Sequence, residues 1–261
     1  MTRPATFAHA ENSEGGMLGS AAELRGYQLE AGEGPIGRVR DLFFDETSWE
    51  IKYLEVDTGG WLSGRRLLLS PACCGAPDRQ RRSITTTLSR SRIESGQAPE
   101  VATLASEFRQ MEFAAYCAWP DYWVPDPVYG AGGAYGAAVA PERALELEEP
   151  HLRSAREAVG YRIQAADGEV GHLEDLLVED AAWVVRYLVV DTRNWLPGRK
   201  VLLAPEWVRQ LDWERMTVVT VMARDRIRQA PAYHPSEPVS RDYEARLYEH
   251  YGAAKYWDRR G

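Results

Sequence analysis

One segment of this chain is written twice. The stretch IKYLEVDTGGWLSGRRLLLSP from Ile51 returns as VRYLVVDTRNWLPGRKVLLAP from Val185. A shift of 134 positions aligns Leu18–Ile93 with Leu152–Ile227 without a gap. About 30 of the 76 aligned positions are identical, against roughly one in sixteen expected from average residue usage. A duplication of this extent constrains the fold more than any local propensity, because both copies must adopt one architecture. The repeated Asp-Thr, Trp-Leu and Gly-Arg set serves either two reaction sites or one strand-turn-strand connection built twice. The residue types favour the connection.

Each copy reads as short strands. In the second, GYRIQA and GHLEDLLVED flank Asp167-Gly168, a dipeptide that favours tight hairpins. WVVRYLVVDT, RKVLLAP and MTVVTVMA follow, all enriched in β-branched and apolar residues. Five or six strands with little helix predict a small barrel, whose closure hides sheet edges. Leu54 with Val56, and Leu188 with Val190, take the register expected to face the core. Glu55, where the second copy has Val189, takes the alternate register and is expected to face water. Asp57 and Asp191 fall at strand ends, where a short carboxylate accepts from the following amides. Gly64 and Gly198 let the chain re-enter the next strand. Trp61 and Trp195 then lie in a loop, with Asp57–Arg65 and Asp191–Arg199 as ion pairs across it.

The copies extend into aromatic tails. Phe108, Phe113 and Tyr116 correspond to Tyr243, Tyr248 and Tyr251, and Tyr122-Trp123 to Tyr256-Trp257. Tyr243, Leu247 and Tyr251 share one helical face, with Asp242 and Glu244 at the amino end, which predicts a helix packed on a barrel or on its symmetry mate. The organisation is then a tail without fixed structure over 1–17, a first barrel over 18–97 and an aromatic helix over 98–123. A Gly/Ala/Pro linker over 124–150, a second barrel over 151–232 and a C-terminal aromatic helix over 233–261 complete it.

Composition narrows the function classes. A net charge of −8 argues against broad phosphate-backbone binding. The one basic cluster, Arg79, Arg81 and Arg82, reads as a solvated hairpin end and has one arginine in the second copy. No apolar run approaches the roughly 20 residues of a membrane helix, and residues 1–20 lack the apolar core of a secretory signal. Adjacent Cys73 and Cys74 with a lone Cys117 make no disulfide framework, so a reducing, cytoplasmic location is expected. A redox role for Cys73 and Cys74 is the lesser reading, since the second copy has Trp207 and Val208 there.

Reactive constellations are scarce. GEGPIG at Gly32–Gly37 matches the dinucleotide fingerprint formally, but Pro35 removes an amide and a strand-like segment follows. The five histidines share no zinc-ligand spacing, and His172, in the place of Arg38, reads as an exposed strand residue. No catalytic residue, cofactor or metal is expected.

The stretches ELRGYQLEAGEGPIGRVRDLFFDETSWEIKYLEVDTGGWLSGRRLLLSP and AVGYRIQAADGEVGHLEDLLVEDAAWVVRYLVVDTRNWLPGRKVLLAPEW resemble two PRC-barrel domains. That family is named for the cytoplasmic barrel of the photosynthetic reaction-centre H subunit. The resemblance covers roughly residues 17–261, and PHLRSA and SRDYEARLYEHY belong to it. It implies a mainly β protein of two tandem SH3-like β-barrels with pseudo-two-fold symmetry, each followed by an aromatic-bearing helix. It implies protein or RNA contact and no catalytic residue. The first copy departs from the pattern: ACCGAP replaces an apolar strand and APEVATLASEF replaces the helix entry Pro238–Arg241, so the first aromatic helix is expected to be irregular.

The resulting expectation is a non-enzymatic adaptor with a protein partner, free of integral membrane segments and open to homo-oligomerisation. Its candidate interaction surface is Trp61, Arg65, Trp195, Arg199, Tyr122, Trp123, Tyr256 and Trp257. The alternatives are an RNA- or ribosome-associated factor, and a peripheral factor linked to photosynthetic electron transport.

Overall fold

The computed structural model describes residues 16–62, 66–95, 151–192 and 199–259. The first repeat runs β1 (Leu18–Ser20), α1 (Ala21–Leu24), β2 (Gln28–Ala31), β3 (Gly34–Asp45), β4 (Ile51–Asp57), β5 (Arg66–Leu69), β6 (Ser83–Thr85) and α2 (Arg90–Ser95). The second opens in the same order with β7 (Leu152–Ser154), α3 (Ala155–Ala158), β8 (Arg162–Ala165), β9 (Gly168–Glu179), β10 (Val184–Asp191) and β11 (Lys200–Leu203). It closes with β12 (Val208–Asp212), β13 (Thr217–Thr220), α4 (Arg224–Gln229), β14 (Ala232–Tyr233) and α5 (Arg241–Tyr251). The protein is mainly β.

Two sheets form, ordered β5-β4-β3-β2-β6 and β12-β13-β8-β9-β10-β11-β14. The remaining strands cross over. β1 of the first repeat pairs with β9 of the second, Leu18 opposite Glu179, while β7 of the second pairs with β3 of the first, Leu152 opposite Asp45. Each pairing is the other with the repeats interchanged, as a two-fold relation requires.

A carboxylate locks each crossing, buried at Asp41 and half-buried at Asp175. Ser154 Oγ donates to Asp41 (2.5 Å), whose other oxygen accepts the Leu42 and Arg156 amides at 2.8 and 3.1 Å. Ser20 Oγ likewise donates to Asp175, which takes the Leu176 and Ala22 amides at 2.8 and 3.1 Å. The same serines cap α1 and α3, accepting from the Glu23 and Glu157 amides. Asp41 is 1% exposed, so these bonds replace the hydration the carboxylate loses on burial.

The turns before β4 and β10 complete the contact. Trp49 (φ 61°) and Trp183 (φ 49°) adopt the left-handed conformation, rare for a bulky residue. Their carbonyls thereby accept the Val185 and Ile51 amides across the repeats, at 2.8 and 2.7 Å. Arg82 and Met216, also left-handed, offer carbonyls to the Gln28 and Arg162 amides, which start the parallel β2–β6 and β8–β13 pairs.

The expected core positions hold: Leu54, Val56, Leu188 and Val190 are fully buried. Glu55 differs. It is 2% exposed, as is Val189, because both faces of the sheet are covered there. Arg66 and Arg40 approach its carboxylate at 3.1 and 3.8 Å and supply the compensating charge. Asp57 accepts the Gly59 amide (2.9 Å), as the strand-end reading requires. The last glycine of GEGPIG also has its reason. A Cβ on Gly37 would stand 2.3 Å from the Asp57 carbonyl, and one on Gly171 2.1 Å from that of Asp191. Two strands cross there too closely for a side chain, and the motif is a hairpin. The ACCGAP departure is visible as well: Cys74–Asp78 makes only isolated bridges, to Thr86 and Ser83, where the second repeat has β12.

Replacing Asp41 by Ala is expected to lower the unfolding free energy by about 2–4 kcal/mol, since buried donors lose a charged acceptor. Asp57→Ala, on a half-exposed turn, is expected to cost under about 1 kcal/mol. Urea denaturation followed by tryptophan fluorescence measures both.

Candidate interaction groove between the repeats

The C-terminal segment forms an aromatic wall. Ser240 caps the amino end of α5 through the Tyr243 amide, and Gly252 (φ 63°) ends it. Its buried face carries Leu247, Tyr248 and Tyr251, and Trp207 meets Tyr251 and Tyr248 with ring centroids 4.2 and 5.4 Å away. The helix lies on its own repeat, where the Tyr251 hydroxyl reaches the Leu202 carbonyl of β11 (3.5 Å).

Glu244 does more than favour the helix dipole. It is 3% exposed and accepts from the Tyr187 hydroxyl (2.7 Å) and the Tyr256 hydroxyl (3.0 Å), while Arg241 pairs with its other oxygen (2.9 Å). Burial, and then the charge of Glu244, push the Tyr187 phenol far above its ordinary value, so it remains a donor. This hub seats Tyr256, over whose ring Arg186 stacks at 4.6 Å. Trp257 packs edge-on to Tyr256 (4.9 Å) and lies under Arg241 (4.4 Å).

Tyr256 lines a groove of about 870 Å³ between the repeats, within the usual size of ligand clefts. The β3–β4 turn of the first repeat forms one side. The starts of β7 and β10, the edge of β12 and the end of α5 form the rest.

At its centre stands Glu46, with four donors from the second repeat. Arg153 contributes Nη2 (2.9 Å) and Nε (3.2 Å), His151 Nδ1 (3.0 Å) and Trp213 Nε1 (2.7 Å). Arg153 also stacks on Trp213 at 4.8 Å. Burial alone raises the Glu46 pKa, but hydrogen bonds from Arg153, Trp213 and His151 outweigh it and hold the carboxyl below its ordinary 4.5. The equivalent acid in the other repeat, Asp180, has the Met17 amide (2.7 Å) and Arg79 (3.6 Å).

A second groove of about 640 Å³ occupies the symmetry-related place. Where the larger one presents Glu206, Arg209 and Gln210, the equivalent positions are Ala72, Gly75 and Ala76. One frame thus carries two differently furnished grooves.

Of the sequence-predicted surface, Tyr256 lines the larger groove, and Trp257 packs against Tyr256 without lining the groove. Arg199 points elsewhere, to the Ala230 carbonyl (2.6 Å), while its own carbonyl accepts from Thr192. Trp61 sits in a 3₁₀ turn, Gly59–Leu62. The Trp61 side chain, Arg65, Trp195, Tyr122, Trp123 and the first aromatic helix lie outside the described residues.

The basic cluster is dispersed into local contacts: Arg79 to Asp180, Arg81 to Asp78 (3.8 Å), and Arg82 over Tyr27 (5.1 Å). Cys73 and Cys74 form no disulfide, and burial, then Cys73, pushes the Cys74 thiol up to about 12. His172 is half-buried, 3.8 Å from Asp191. No cluster of three metal-ligating side chains occurs among the described residues, and no helix among them is long and apolar enough to cross a membrane.

Glu46, Arg153, Arg209 and Trp213 escaped sequence reasoning. The one signal available was their divergence from Asp180, Gly19, Gly75 and Arg79 at equivalent positions of the repeat.

A group whose folded pKa is depressed stabilises the fold above its unfolded pKa, and loses that contribution as pH falls through the folded value. Glu46→Gln is therefore expected to cost about 1–3 kcal/mol at neutral pH. The difference from the native chain is expected to shrink as pH drops below 4.5, measured by urea denaturation across pH.

Compared with protein-family models and with curated protein sequences, the chain matches none.

Proposed function

We propose that the protein is a non-enzymatic adaptor built from two PRC-type barrels, which presents the larger inter-repeat groove to a protein partner. The barrel reading draws on the duplicated motifs and on sheets that bend around one long strand each: β3 pairs with β2 at one end and β4 along the rest, with register shifts in both ladders. Parallel pairing of β2 with β6, and of β8 with β13, brings the ends of each repeat together, although neither sheet closes on itself.

The observation that carries the adaptor reading is the unequal furnishing of two grooves on one frame. Architecture common to both repeats is satisfied by Ala72 and Ala76 in one groove, with Gly75 at the place of Arg209. Glu206, Arg209 and Gln210 therefore exceed what the frame requires. Together with Tyr256 they make a polar, aromatic-walled cleft, the composition of a recognition surface. The reading as an RNA factor draws on Arg79, Arg81 and Arg82, whose engagement in local contacts supplies no phosphate track.

The test is affinity capture from the native cell with the full chain and with an Arg209→Glu, Gln210→Ala variant, both changes at exposed positions, whose native unfolding behaviour is checked by urea denaturation. Recovery of a partner by the native chain and its loss from the variant are expected. Equal recovery by both would reject the groove as the contact surface.

A further inference from the structure

The larger groove has an unusual floor. Val208, Arg209, Gln210 and Leu211 line it consecutively. Side chains of a strand alternate between faces, so four successive residues bordering one cleft fit a cleft that meets the strand at its edge. β12 is the end strand of its sheet, paired with β13 on one side and with no other strand among the described residues. Its ladder to β13 shifts register between Val208 and Gln210.

A bare edge of this kind offers backbone donors and acceptors to an added strand. It is also special to the second repeat, since Cys74–Asp78 makes only isolated bridges.

The side chains at this edge indicate the chemistry that fits. Arg153 is held by Glu46 and Arg186 by Glu179, and the groove's own carboxylate Glu206 is likewise engaged. Arg209 and Gln210 are exposed, and among the described residues neither side chain has a hydrogen-bond, ion-pair or ring partner. Arg209 is thus the groove's uncommitted cation, set on a chain whose net charge is −8. Across the cleft the half-buried Tyr256 ring provides apolar surface for an alternate side chain of an added strand.

Resting on the adaptor reading, we infer that this groove receives an extended peptide segment of the partner, which pairs with the free edge of β12 and places a carboxylate against Arg209. Backbone pairing supplies affinity, and the Arg209 contact selects acidic over basic segments.

Three fluorescein-labelled probes test it on the full chain: alternating glutamate–valine, alternating lysine–valine, and alternating glutamate–proline, which keeps the charge but cannot donate backbone N–H. Fluorescence anisotropy is expected to show the glutamate–valine peptide binding roughly tenfold or more tightly than the others, the scale of one charge-assisted hydrogen bond. Amide resonances of residues 208–212 are expected to shift on its addition. Arg209→Glu, at an exposed position, is expected to reverse the preference toward lysine–valine. Equal binding of all three probes, or resonance changes confined to other strands, would overturn the inference. So would absence of peptide binding, in which case Arg209 serves only to discourage edge-to-edge association. If the captured partner is lost from the variant while no peptide binds, the adaptor reading stands and the acidic-strand inference alone falls.

Discussion

The structure depends on two carboxylates withdrawn from water, Asp41 completely and Asp175 in part. Asp41 and Asp175 each receive a serine hydroxyl and a helix-entry amide from the opposite repeat, and a strand amide from their own. A carboxylate removed from water is tolerated only where such donors replace its hydration. Those donors arrive on β1 and β7, the strands that cross between repeats. Neither long strand, β3 or β9, has its full complement of partners until the other repeat has delivered its arm. Formation of each repeat is thereby coupled to formation of both, and the groove between them is a property of the pair.

Reciprocity makes each repeat an internal reference for the other. Contacts that recur with the repeats interchanged belong to the frame: the Ser–Asp locks, the left-handed Trp49 and Trp183, and the Gly37 and Gly171 crossings. Differences at equivalent positions belong to something else. Glu46 gathers four donors where Asp180 gathers fewer, and Arg209 and Gln210 stand where Gly75 and Ala76 leave the wall bare. These differences meet at one groove, which is why the proposed recognition surface is placed there.

Strand alternation served well where one face of a ladder meets the core, as at Leu54 and Val56, and it failed at Glu55. Alternation identifies two faces but not what covers the second, and here Arg40 and Arg66 shield a carboxylate that sequence alone places in water. The helical spacing of Tyr243, Leu247 and Tyr251 was legible because one buried stripe suffices to define it. Glu244 stands in the first turn of α5 as its spacing predicts, but its second role was not legible, because Tyr187 and Tyr256 meet it only when α5 is seated.

The amino-acid sequence by itself determined the duplication, the mainly β character, the hairpin at Asp167-Gly168 and the aromatic C-terminal helix. All of these are set by interactions short in sequence or by direct comparison of the copies. Tertiary structure alone decided that the amino-terminal strands cross between repeats, that Glu46 joins four donors, and that β12 borders a cleft with a bare edge. Each of those facts depends on groups more than a hundred residues apart, whose encounter is selected by burial and hydrogen-bond completion across the whole fold, and no local pattern carries that information.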